Sequence, residues 1–135
     1  MLDCLILGDS IAVGTMQARP GCFEMAKGGI NSWQWNKRYG NSPALDGMDY
    51  KSVIISLGSN DHKGVNTRKE IEAIRAKVVA KRVFWIMPAI KPDVQAIVKS
   101  VAEAHGDTII PITRLQTDGV HPSWAGYKAI AEATK

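Results

Sequence analysis

Short, continuous apolar runs alternate with amphipathic stretches along most of this chain. The runs cover residues 2–7, 22–26 (the weakest), 52–57, 82–87 and 108–112. They are rich in β-branched and aromatic residues and do not alternate with polar ones. Each therefore reads as a parallel strand covered on both faces. Pro111 has no N–H to give to a ladder, which puts the fifth strand at a sheet edge. Between the runs lie helical patterns. Thr67 and Glu70 form a capping box, and Ile71, Ile74, Val78 and Val79 then share one face. Pro92 suits a first helical position; Val94, Ile97, Val98 and Val101 follow at helical spacing, with Gly106 as a stop. Ser123 caps a last helix whose inner face is Tyr127, Ile130, Ala131 and Thr134, and a shorter helix starts near Ser10. Residues 28–50 read as a long loop with one helical turn. Strand and helix in alternation predict an α/β fold, a parallel sheet with right-handed crossovers and helices on both faces.

At 135 residues the chain is the size of one domain, taken as 1–135. That length buries enough surface to fold without a metal or a disulfide. Cys4 and Cys22 are too few for a disulfide framework or a metal site, and both adjoin apolar segments, where a free thiol acts as a small hydrophobe. Only neighbouring strands would let them pair. The 17 Lys and Arg against 13 Asp and Glu give a net charge of +4, but these cations are scattered. The densest groups (Arg68/Lys69, Lys77, Lys81/Arg82) fall on or beside a helix and read as a solvated face, so no nucleic-acid partner is expected. No run approaches a membrane span, and the first strand carries Asp3 and lacks signal-peptide features. The expectation is a cytoplasmic protein, or part of a larger assembly such as a virion.

In a parallel sheet, ligands bind beyond the carboxyl ends of the strands. Gly8-Asp9-Ser10-Ile11 follows the first strand and Lys27-Gly28-Gly29-Ile30-Asn31-Ser32 the second. Gly58-Ser59-Asn60-Asp61 follows the third, and Asp118-Gly119-Val120-His121-Pro122-Ser123 lies beyond the fifth. Small, polar and titratable residues thus collect on one rim.

These four blocks, in this order and spanning nearly the whole chain, resemble the SGNH (GDSL) hydrolase family. The resemblance implies a three-layer α/β/α sandwich around a five-stranded parallel sheet, with no cofactor or metal. It also implies Ser10 as nucleophile, His121 as base and then acid, and Asp118 as the residue orienting His121. The residue types suit those roles. A serine hydroxyl needs a base to take its proton, a strand-to-helix turn exposes it at the positive end of a helix dipole, and an aspartate fixes the histidine tautomer. The family's oxyanion hole corresponds to the Ser10 backbone N–H, a glycine N–H and the Asn60 amide. Gly29 is preferred over Gly28 for the second donor. Ile11 replaces the leucine of the family's name motif, and the second block lacks the usual Gly-x-Ser-Gly form.

Asp9 and Asp61 read as turn-stabilising groups, and Gly14 and Gly126 as helix-packing positions. His105 suits a helix C-terminus and Trp85 the core. His62 is a substrate contact or a solvated loop histidine. Trp33, Trp35 and Trp124 lie near the proposed site and offer stacking faces to a sugar, unless they pack the helices that open there. The preferred substrate is therefore a short, O-acetyl ester on a carbohydrate. A general short-chain esterase, a thioesterase, a lysophospholipase and a non-catalytic binding module are the alternatives.

Overall fold

The computed structural model describes residues 2–135. Five strands form one parallel sheet: β1 Leu2–Gly8, β2 Phe23–Ala26, β3 Asp49–Ser56, β4 Val79–Ile86 and β5 Thr108–Ile110, in the order β2-β1-β3-β4-β5. Five helices connect and follow them: α1 Ser10–Ala18, α2 Ser32–Tyr39, α3 Thr67–Lys77, α4 Pro92–His105 and α5 Trp124–Ala133. The fold is the expected three-layer sandwich, with β5 at an edge and Pro111 just past its end.

The period of two along each strand divides the core into two halves. Leu5, Leu7, Val53, Ile55, Val83 and Trp85 face one layer, where α2, α3 and α4 add Trp35, Ile71, Ile74, Val98 and Val101. Cys4, Ile6, Ile54, Phe84 and Ile86 face the other, where α1 and α5 add Ile11, Ala12, Tyr127 and Ile130. Burying each such aliphatic side chain stabilises the fold by about 1.5–3 kcal/mol. At the β4–β5 edge, Arg75 makes a two-pronged pair with Asp107 at 2.7 and 3.0 Å, and the Trp85 indole N–H donates to the same carboxylate. Three elements are joined there by one buried acid.

Several local expectations are corrected. Residues 32–39 form a two-turn helix, not a single turn in a loop. Asn31 caps it and Gln34 reaches back to the Asn31 N–H, a reciprocal capping box. Asn66, not Thr67, caps α3, because Thr67 already lies inside the helix with its hydroxyl on Asp61. Val79 starts β4 and is half exposed; it is no part of the α3 face. Cys4 and Cys22 are not free thiols. They form a disulfide between β1 and the start of β2, with Cα atoms 4.7 Å apart. The register of the pair, Leu5 beside Phe23, sets the two cysteines next to each other across parallel neighbours. No helix among the described residues is long and apolar enough to cross a membrane.

Candidate active site

The carboxyl ends of β1, β2 and β3 and the loop before α5 meet on one rim. Gly8 ends β1 at φ +143°, where a side chain would run into the Ser56 carbonyl of β3. Only glycine lets the two strands stay this close, and Asp9 N–H then donates to that carbonyl at 2.9 Å. Asp9 turns the chain into α1, its side chain accepting from Ile11 N–H at 3.0 Å and from the Ser56 hydroxyl at 3.1 Å. Ser10 is thereby the first residue of the helix, half-buried, with its backbone N–H pointing out of the helix start as an orphan donor. Asp9 is fully buried, and its second carboxylate oxygen has no partner among the described residues. Burial pushes its pKa up to about 6, against the opposing pull of the Ile11 N–H and the Ser56 hydroxyl.

The Ser10 Oγ lies 2.8 Å from His121 Nε2, and His121 Nδ1 lies 2.7 Å from Asp118 Oδ2. The Val120 and His121 N–H groups also donate to Asp118 Oδ1, at 2.9 and 3.0 Å. These two backbone donors, followed by the His121 ring, hold Asp118 at a pKa of about 2. An ionised carboxylate only accepts, so the proton of a neutral His121 sits on Nδ1. Nε2 is left with a lone pair facing the Ser10 hydroxyl. The loop that carries the pair is closed on itself: Gln116 N–H donates to the His121 carbonyl, and Ser123 N–H to Arg114. Gly126 in α5 lets that loop lie flat, because a side chain there would meet the Arg114 carbonyl.

The second block makes a turn in which Ile30 N–H reaches back to the Lys27 carbonyl. Gly29 occupies its third position at φ +76°, the left-handed conformation that such a turn requires and glycine favours. Gly28 is the glycine nearer Ser10: a Cβ there would stand 3.9 Å from Ser10 Cβ. Neither glycine N–H has a partner among the described residues. Asn60 donates one amide hydrogen to the Ile30 carbonyl at 3.0 Å, which ties the third block to the second and leaves the other hydrogen for a ligand.

Two residues set that arrangement, one read differently from sequence and one missed by it. Asp61 is not a local turn acid. It is buried and accepts from Ser32 N–H, from the Ser32 hydroxyl at 2.6 Å and from the Thr67 hydroxyl at 2.7 Å, binding three segments together. Lys91, at φ +66°, donates from Nζ to the Ser59 and Asp61 carbonyls at 2.8 and 2.7 Å, on either side of Asn60. No motif signals Lys91, because its partners are backbone atoms of a distant loop.

The aromatic expectations divide. Trp35 is not at the site: it is fully buried, and its indole N–H donates to the Met25 carbonyl. Trp33, half exposed, lines an open groove of about 510 Å³ that also includes Gly28 and Gly29. Trp124 is exposed at the start of α5. His62 is exposed, accepts from Gly64 N–H, and borders a separate depression between α3 and α4.

No protein-family model matches the sequence, and no curated protein matches it either. Solved structures do. A lipase/acylhydrolase from Enterococcus faecalis superposes with a TM-score of 0.74 at 18% identity, over 98% of this chain and 92% of that one. A lipolytic protein of the G-D-S-L family from Veillonella parvula gives a TM-score of 0.67 at 16% identity, over 98% and 95%. A variant of an acetyl xylan esterase from Geobacillus stearothermophilus gives 0.66 at 18% identity, over 98% and 92%. The fold is that of the SGNH/GDSL hydrolases, matched across essentially the whole chain.

Proposed function

We propose that this protein is a serine ester hydrolase acting on short acyl esters, with O-acetyl groups on carbohydrate as the preferred substrate. The observation that carries the reading is the unbroken contact from Ser10 Oγ through the His121 ring to an ionised Asp118. That chain ends beside unpartnered N–H donors.

The proposed chemistry follows from that geometry. The Ser10 oxygen attacks the ester carbonyl carbon while its proton passes to His121 Nε2, and Asp118 stabilises the resulting imidazolium. The carbonyl oxygen becomes an oxyanion and accepts from the Ser10 N–H, the Gly29 N–H and the free amide hydrogen of Asn60, each such donor contributing about 2.7–4 kcal/mol. The bond to the alcohol oxygen breaks as His121 returns the proton to it, leaving an acyl-Ser10 ester. Water then attacks that ester with His121 again as base, releasing the acid and restoring the Ser10 hydroxyl.

The groove beside Gly28 and Gly29 is open, with both glycines exposed. That suits a short acyl group on a bulky alcohol better than a long chain needing an enclosed apolar channel. Acylhydrolases and an acetyl xylan esterase among the fold neighbours support the same class of substrate. Hydrolysis of 4-nitrophenyl acetate tests the reading. Wild type should turn over, and Ser10→Ala should fall by about 10³-fold or more. Equal rates would overturn it.

A further inference from the structure

The groove beside Gly28 and Gly29 is lined by Trp33 and Gln34, by Lys27, Lys37 and Arg38, and by no carboxylate. Lys37 and Arg38 end α2, and Lys27 begins the turn that presents Gly28 and Gly29. None of the three has a hydrogen bond or an ion pair with an acidic group among the described residues. Lys63, Lys81 and Lys128 are likewise unpaired among the described residues, so what sets Lys27, Lys37 and Arg38 apart is the groove they share. Several other long cations have structural partners. Arg75 is paired with Asp107, Arg68 with Glu72 and Lys99 with Glu103, while Lys77 and Lys91 cap backbone carbonyls. Lys37 instead stands 5.4 Å over the Trp33 ring. Its charge is held against the indole, which lines the same groove.

We infer that this groove is a subsite for a carboxylate-bearing sugar, so that the substrate is an O-acyl ester on a uronate-containing glycan. The inference rests on the ester-hydrolase reading and narrows its substrate class. A half-exposed indole offers a face for a pyranose ring, and three unpaired cations around it supply the complement to a carboxylate. Arg38 has the planar fork that takes a carboxylate in two contacts. A Cβ on Gly28 would stand 3.9 Å from Ser10 Cβ, so the end of the groove that Gly28 lines adjoins the proposed nucleophile. The net charge of +4 thus includes a local, unneutralised cluster at the site as well as solvated helix faces.

The test compares partly O-acetylated polygalacturonate with O-acetylated glucomannan, a neutral polymer, and adds a binding measurement that needs no turnover. Wild type should prefer the anionic polymer by about tenfold or more in kcat/KM at low ionic strength, and added salt should erode that preference. The double substitution Lys37→Ala/Arg38→Ala should collapse the ratio, whereas Lys99→Ala, on α4, should leave it unchanged. By calorimetry, the Ser10→Ala protein should bind unacetylated oligogalacturonate, and the double substitution should weaken that binding about tenfold or more. Binding without turnover of any ester would remove the hydrolase reading and keep the subsite. Turnover with no preference, together with no oligogalacturonate binding, would remove the subsite and keep the hydrolase. Thermal melts of each variant exclude misfolding as the cause.

Discussion

The ring of Tyr127 occupies the space that a side chain on Gly14 would need. This contact locks α1, which begins at Ser10, against α5, which begins three residues after His121. The two halves of the proposed nucleophile–base pair therefore owe their separation to a glycine and a tyrosine one turn inside their helices. Gly14→Ala should force the helices apart and cost about 1–3 kcal/mol in urea denaturation. Ester hydrolysis should fall further than the loss of folded protein explains. Adding Tyr127→Leu should recover part of the stability, a non-additive result expected of residues in contact.

Asp9 gives the fold an uncommon pH dependence. Its folded pKa, about 6, lies above its ordinary value of 3.8 because it is buried. The folded state therefore holds this proton more tightly than the unfolded chain does. The contribution is fully present below about pH 4 and is lost as the pH rises through about 6. Tyr127 faces the same acid, and burial together with the Asp9 charge raises its own pKa. Relative to Asp9→Asn, wild type should lose about 3 kcal/mol of stability between pH 4 and pH 8. Two parallel stability–pH curves would show that Asp9 keeps its ordinary pKa.

The disulfide closes a loop with a sequence separation of 18 between Cys4 and Cys22. By loop-closure entropy, Cys4→Ala with Cys22→Ala should cost about 3 kcal/mol. A thiol titration of unfolded, unreduced protein should find no free thiol. Two would contradict the pairing.

Lys91 holds the carbonyls on either side of Asn60, the proposed oxyanion donor. Asn60→Ala should lower kcat by about 10²-fold or more. Lys91→Met should lower it by about tenfold with little change in KM, because the Ser59 and Asp61 carbonyls lose their common donor. Lys91→Arg should restore part of the rate. An equal change in kcat and KM would point to substrate binding instead.

Much of this was legible from sequence because it is local. Apolar runs mark all five strands, although β3 and β4 begin three residues before their runs, at Asp49 and Val79, and the α4 face and its Gly106 stop are plain at helical spacing. The four rim blocks stand out by their small, polar and titratable residues. What escaped depends on long-range partners or on competing signals. The α2 helix carries Trp33, Gln34, Trp35 and Asn36 rather than a clean apolar stripe, although Asn31 and Gln34 spelled its cap. Trp35 resembles Trp33 in sequence, yet helix phase sends one indole to the core and the other to the groove. Asp61 takes its partners from residues 32 and 67, and Lys91 reaches back to 59 and 61. The disulfide depended on β1 and β2 being neighbours, which a strand list leaves open.

Reaction with a fluorophosphonate, read by intact mass and peptide mapping, tests the central claim most directly. An activated serine attacks phosphorus and retains the phosphonyl group, whereas an ordinary surface serine does not react. The account predicts one adduct per chain, located on Ser10, and none on the Ser10→Ala or His121→Ala proteins. A folded wild type that stays unmodified, or an adduct that persists in the Ser10→Ala protein, would contradict it.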